Sequence, residues 1–132
     1  YIKKVQIESR IMGELATGHI LPAAIRYQNT LISNIKGLKD LDCPESSYIN
    51  QKQILDKISE LIGKTSDLVE KMIATRKICN NMDNTRTKAI AYQSQVKDIF
   101  FDAIRYNVDK LELLIDDREW YLPKYREMLF LR

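Results

Sequence analysis

Residues that turn a chain or lock it covalently are scarce in this sequence. Its 132 residues include 4 glycines, 3 prolines, 2 cysteines, 1 histidine and 1 tryptophan. So few glycines and prolines leave room for few turns and require long elements, which argues against a β-sandwich. Two cysteines do not make a disulfide scaffold. Two separated cysteines and one histidine also argue against a zinc site. No apolar run approaches the roughly 20 residues of a membrane-spanning helix. The opening residues Tyr1 to Val5 lack the apolar stretch of a secretory signal. A cytoplasmic location is the expectation. There is no phosphate-binding glycine loop, no nucleophile elbow and no metal motif. A net charge of +3 is too small to imply nucleic acid.

What is present is 45% hydrophobic and 30% charged residues in a helical rhythm. A chain of this length makes one domain and buries roughly two-thirds of its unfolded surface. Helix 1 is predicted from about Lys3 to Leu41, with Ile7, Ile11, Leu15, Ala24, Tyr27, Leu31, Ile35 and Leu38 as its apolar face. Pro22 removes a backbone donor and crowds the carbonyl four residues back, at Gly18. A kink over residues 18–22, eased by Gly18, is expected rather than a break, because the apolar rhythm resumes at Ala23. Residues 40–47 form the first turn, with Asp42, Ser46 or Ser47 as caps of the next helix. Helix 2 is predicted over 47–80. Its seam is Ile54, Ile58, Leu61, Thr65, Leu68, Met72, Thr75 and Cys79, with alternating four- and three-residue steps. Glu60 with Lys64 and Asp67 with Lys71 are outward i,i+4 pairs. Residues 80–84 form the second turn: an asparagine closes helix 2 in the left-handed conformation, and Asp83 or Asn84 caps the next helix. Helix 3 is predicted over 85–115, with Ala89, Tyr92, Val96, Ile99, Phe100, Ala103, Tyr106, Leu111 and Leu114 facing inward.

Three long helices and two short turns predict an all-α, up-down-up bundle over residues 1–115. Residues 116–132, with Trp120, Pro123 and Tyr125, read as a non-helical aromatic strap that folds back on the bundle or on a catalytic domain outside the chain. In that arrangement Cys43 and Cys79 lie at opposite poles, on the order of 50 Å apart. Disulfide geometry needs Cα atoms within about 7 Å, so both are expected to be reduced. The chain opens on Tyr1 within a helical pattern, so a fragment of a longer protein is expected.

Candidate chemical groups are few. His19, the only histidine, is a possible base or ligand, but a hydrogen-bonded bundle histidine is the plainer expectation. Arg26, one turn past Pro22, suits a phosphate or carboxylate, or more simply a neighbouring helix. Glu112 with Asp116 resembles an acid–base pair, but charged helix faces produce such pairs constantly. Lys3, Lys4, Arg10, Arg76, Lys77, Arg86 and Lys88 gather at one expected pole. Asp40, Asp42, Glu45, Asp109, Glu112, Asp116 and Asp117 gather at the other. The basic pole is a candidate docking surface for an acidic surface of a preceding domain or a neighbouring subunit. Trp120, Pro123 and Tyr125 either bind a partner or close the end of a larger fold.

Three stretches together resemble the C-terminal region of type III glutamine synthetases. They are Gly18-His19-Ile20-Leu21-Pro22-Ala23-Ala24-Ile25-Arg26-Tyr27-Gln28, then Ala103-Ile104-Arg105 with Asp109 to Asp116, then Trp120-Tyr121-Leu122-Pro123-Lys124-Tyr125 with Met128-Leu129-Phe130. Residues 42–100 match only as a helical spacer, and Arg126-Glu127 stand where that pattern has Gly-Asp. The resemblance implies a bacterial, cytoplasmic, oligomeric parent that joins ammonia to glutamate using ATP and a divalent metal such as Mg. Its catalytic, nucleotide and metal residues belong to an upstream catalytic domain, the implied partner. No catalytic residue, cofactor or metal ligand is therefore assigned here. The fragment is expected to be inactive and to serve structure or assembly, with His19, Pro22, Arg26, Arg76, Lys77, Arg86, Trp120, Pro123 and Tyr125 as architectural or interface residues. The competing expectation is a free-standing helical adaptor or signalling bundle. Neither a membrane nor a nucleic-acid partner is expected.

Overall fold

The computed structural model describes residues 1–119, and every regular element among them is helical. They form three long helical rods. The first runs through α1 (Ile2–Leu15), a π-helical turn (Ala16–Ile20) and α2 (Leu21–Asp40). The second is α3 (Ile49–Asn80). The third runs through α4 (Thr85–Ala91), a π-helical segment (Tyr92–Phe101) and α5 (Asp102–Leu114). A short 3-10 turn, Asp117–Glu119, follows. The expected strap lies outside the described residues from Trp120 onward.

Both joints are built from local hydrogen bonds. At the end of α2 the Cys43 amide donates to the Leu38 carbonyl and the Asp42 amide to the Lys39 carbonyl, each at 3.0 Å. These two bonds form a Schellman motif around Asp42, whose φ of 58° is left-handed. Asp42 therefore closes α2 and does not cap the following helix. A 3-10 turn, Glu45–Ser47, leads into α3 with no side-chain cap, so Ser46 and Ser47 do not cap it either. At the second joint Asn81 keeps right-handed geometry. Asn84, one of the two expected caps, accepts the Thr87 amide at 3.0 Å.

The first rod stays helical through Pro22. The distortion precedes the proline as a π turn, in which the Leu21 amide reaches the Ala16 carbonyl five residues back. A widened turn there makes room for the pyrrolidine ring over a carbonyl that has lost its donor.

The two π segments also decide which residues are buried. In an α-helix of about 3.6 residues per turn, steps of four drift steadily round the axis. A π turn closes on the fifth residue, so the same steps drift back. Mixing the two keeps four-spaced residues in line. The buried row of the first rod is Met12, Ala16, Ile20 and Ala24; that of the third is Tyr92, Val96, Phe100, Ile104 and Val108. Both rows step by four through a π segment. The second rod has no π segment, and its buried row, Ile58, Leu61, Thr65, Val69 and Met72, mixes steps of three and four, with Cys79 seven residues further on.

This corrects two of the expected faces. Ile7 and Ile11 are 50% exposed, while Val5, Ser9 and Met12 are buried in their place. Ile99 is 56% and Tyr106 60% exposed, and Phe101, Ile104 and Val108 are buried. A pure α count from Tyr92 points at Ile99 and Tyr106; the extra residue per π turn moves the core one place on.

Cross-rod pairs follow a simple rule. Gln6 meets Asn80, Gln28 meets Ser59 and Asn34 meets Gln51, so numbers fall along α3 as they rise along the first rod. Tyr106 of α5 feels Lys57 and Lys64 of α3. The apolar rows of all three rods meet in one core.

Burial makes the expected energetics site-specific. Leu61→Ala should lower unfolding free energy by about 2–5 kcal/mol through lost transfer energy and a cavity. Ile7→Ala should change it by less than about 0.5 kcal/mol, as expected of a surface position away from such features. Urea denaturation followed by circular dichroism checks both; a large loss at Ile7 would refute the assigned register.

Candidate functional site

Three features stand out among the polar side chains: a clasp at one pole, a latch at the 117–119 turn, and Arg76 bonded to Ser9 across the α1–α3 boundary. The clasp joins all three rods. Tyr92 is wholly buried, and its hydroxyl donates to Asn80 Oδ1. Gln6 Nε2 donates to the same Asn80 oxygen at 2.7 Å and to the Tyr92 hydroxyl oxygen at 3.0 Å. The start of the first rod, the end of the second and the start of the third therefore share a pole.

The expected basic residues sit on those same segments. Lys3, Lys4, Arg10, Lys77 and Arg86 are exposed, while Arg76 and Lys88 are half-buried. Lys4 lies 4.0 Å from Glu8. Arg76 Nη1 donates to Ser9 Oγ at 3.4 Å. Lys77 and Arg86 stand in solvent among the described residues.

The latch is built on Arg26. Its Nη2 donates to the Glu119 backbone carbonyl at 2.9 Å, and its Nε lies 3.3 Å from Glu119 Oε2. Both side chains are partly shielded, which strengthens the pair relative to an open surface one. The expected neighbouring helix is thus replaced by the C-terminal turn, 93 residues away in sequence. Pro22 lies half-buried one turn earlier.

Two expected chemical groups change character. His19 is exposed on the π turn and makes no hydrogen bond with a described residue, so it is not the bundle histidine anticipated. Glu112 is 1% exposed, so it is not part of a solvated acidic face. Its position was readable, because Val108, Leu111, Glu112 and Ile115 fall on one stripe. Asp116 holds Arg118, with Oδ2 2.8 Å from Nη2 and Oδ1 accepting the Arg118 amide at 3.0 Å. The expected acidic pole is weaker than the sequence suggests. Trp120, Pro123 and Tyr125 lie outside the described residues.

Tyr106 lies on the exposed face of α5. A hydrogen bond and the charge of Lys110, with Lys57 and Lys64 beyond, hold its phenol below the usual range. Lys110 Nζ stands 4.2 Å from the ring centroid. Glu60 with Lys64 at 2.8 Å and Asp67 with Lys71 at 3.0 Å are the exposed pairs expected. Among the described residues no three His, Cys, Asp or Glu side chains converge as a metal site. No described helix is long and apolar enough to cross a membrane.

The described residues thus form an all-helical unit tied at one pole and latched at the 117–119 turn. Residues 1–39 match the glutamine synthetase C-terminal domain family. Nearly the whole chain, 98%, is 41% identical to a glutamine synthetase of Bacteroides fragilis (strain YCH46). All of it is 24% identical to the type-3 glutamine synthetase of Dictyostelium discoideum. It is 30% identical over 98% of its length to a glutamine synthetase of Butyrivibrio fibrisolvens. The chain spans 18% of the length of each of these relatives. The resemblance to the C-terminal region of type III glutamine synthetases is thereby shown.

The two cysteines provide a check on packing. Both are free; Cys43 is partly exposed and Cys79 buried. Burial pushes the Cys79 thiol up, so less of it is thiolate at any given pH. Iodoacetamide at pH 8 should label Cys43 readily and Cys79 only on unfolding, as read by mass spectrometry of peptides. Equal labelling of the native chain would contradict the packing of α3.

Proposed function

We propose that the chain is the C-terminal structural and assembly module of an ATP-dependent glutamate–ammonia ligase, a type III glutamine synthetase, and that it is inactive alone. The observation that carries this is near-complete coverage of the chain by glutamine synthetases of which it makes up less than a fifth. A free-standing adaptor bundle would account for the helical rows but not for that coverage. The rods run up-down-up, supported by the falling order of the cross-rod pairs, and the first rod bends around residues 18–22 beside its π turn.

The catalytic domain, which binds ATP and a divalent metal such as Mg, precedes this module in a cytoplasmic homo-oligomer. The basic pole, with Arg76, Lys77 and Arg86, docks on an acidic surface of that domain or of a neighbouring subunit. His19 and the Pro22 turn present an architectural edge, and Arg26 holds the C-terminal turn against α2.

Two measurements test this. The chain alone should form no glutamine from glutamate, ammonia and ATP; turnover would overturn it. In the full-length protein, Arg76→Glu, Lys77→Glu and Arg86→Glu together should lower the assembled mass read by light scattering at low salt. Unchanged mass and unchanged stability would remove the docking role.

A further inference from the structure

Between α1 and α3 runs an open groove of about 280 Å³, walled by Ser9, Arg10, Glu14 and Thr17 on one side and by Ile73 and Arg76 on the other. Its polar groups are unevenly matched. A guanidinium carries five N–H donors in a fixed fork. Arg76, half-buried, donates to a neutral hydroxyl, Ser9 Oγ, at 3.4 Å. The Ser9 proton is directed elsewhere, to the Gln6 carbonyl at 2.9 Å. Thr17 likewise donates to the Gly13 carbonyl at 2.8 Å. Both hydroxyl protons are therefore committed, and the donors left facing the groove are the two arginines. Among the described residues neither Arg10 nor Arg76 forms an ion pair, although Glu14 lies one turn from Arg10. A half-buried guanidinium bonded only to a neutral hydroxyl keeps donors for an oxyanion, and charge-assisted bonds are about twice as strong as neutral ones. Glu14 supplies an acceptor on the same wall.

The geometry points to a binding site for a small free anion of the phosphate or carboxylate class. The fork of Arg76 takes the anionic head, with Arg10 at the rim, and Glu14 accepts from a hydroxyl or amine on the same ligand. The lining residues are all in this chain, and the assignment does not depend on the identity of the parent enzyme.

The probes are inorganic phosphate and citrate, titrated into the chain against sodium chloride at equal ionic strength and followed by amide NMR shifts. Saturable shifts should centre on Ser9, Gly13 and Ile73 with phosphate or citrate but not with chloride; the arm that saturates at lower concentration identifies the head group. Arg10→Gln, an exposed position that leaves packing intact, should weaken binding about tenfold, as loss of one charge-assisted bond implies. Arg76→Gln should abolish it and Arg76→Lys should restore it only in part. Lys3→Gln, with the same charge change outside the groove, should leave it unaltered. Shifts matched by chloride would overturn the site, as would equal weakening by Lys3→Gln and Arg10→Gln. Binding indifferent to both arginine substitutions would do the same. If only a carboxylate side chain of a partner protein, and neither free probe, binds there, the small-anion assignment fails.

Discussion

The buried Tyr92 side chain is the contact on which the rest of the molecule depends. Three rods joined by two short turns can slide and rotate against one another unless something fixes their phase. An aromatic ring in the common core fills space from all three directions, and its hydroxyl must find a partner once buried. Asn80 supplies that partner from the end of α3, and Gln6 from α1 bonds to both. One residue thus sets the axial register of the first rod, the second and the third at a single pole. It also lies at the start of the π segment, Tyr92–Phe101, so the same position sets the rotational phase of the third rod.

How far the fold was legible follows from that phase. Scarce glycine and proline with persistent apolar periodicity gave three helices, and the α3 row was readable because its mixed steps are those of an ordinary α-helix. The buried rows of the first and third rods are less legible for one physical reason. Their core residues step by four, which an α-helix cannot keep in line but a rod containing π turns can. The rows through Met12, Ala16, Ile20, Ala24 and through Tyr92, Val96, Phe100, Ile104 carried that signal. Larger residues such as Ile7, Ile11 and Ile99 masked it by offering competing α-spaced stripes. Arg26 was legible as an ion-pairing residue, but its partner was not, because no local rule connects residue 26 to residue 119. Glu112 was legible in principle from its place on an apolar stripe; its charge led to the opposite assignment.

The polar side chains with long-range partners are correspondingly those that join the rods. The basic side chains gather where three rod ends meet, and the clasp at that pole fixes them relative to one another. Latch and clasp hold different parts of the first rod: Gln6 near its start and Arg26 beyond its π turn. A unit built this way holds its exposed basic side chains at one pole and the 117–119 turn against α2. Two of the same basic residues, Arg10 and Arg76, also line the α1–α3 groove, so the charge that serves the pole extends along one flank.

The central claim is that the three rods form one cooperative unit fixed by Tyr92. Urea unfolding of Tyr92→Ala and Tyr92→Phe, followed by site-resolved hydrogen exchange, tests it most directly. The account predicts a single transition in which Tyr92→Ala loses about 3–5 kcal/mol and Tyr92→Phe about 1 kcal/mol, the net worth of an ordinary hydrogen bond, with protection falling together in all three rods. Separate transitions for the rods, or a Tyr92→Ala loss below about 1 kcal/mol, the size of a mean substitution, would contradict it.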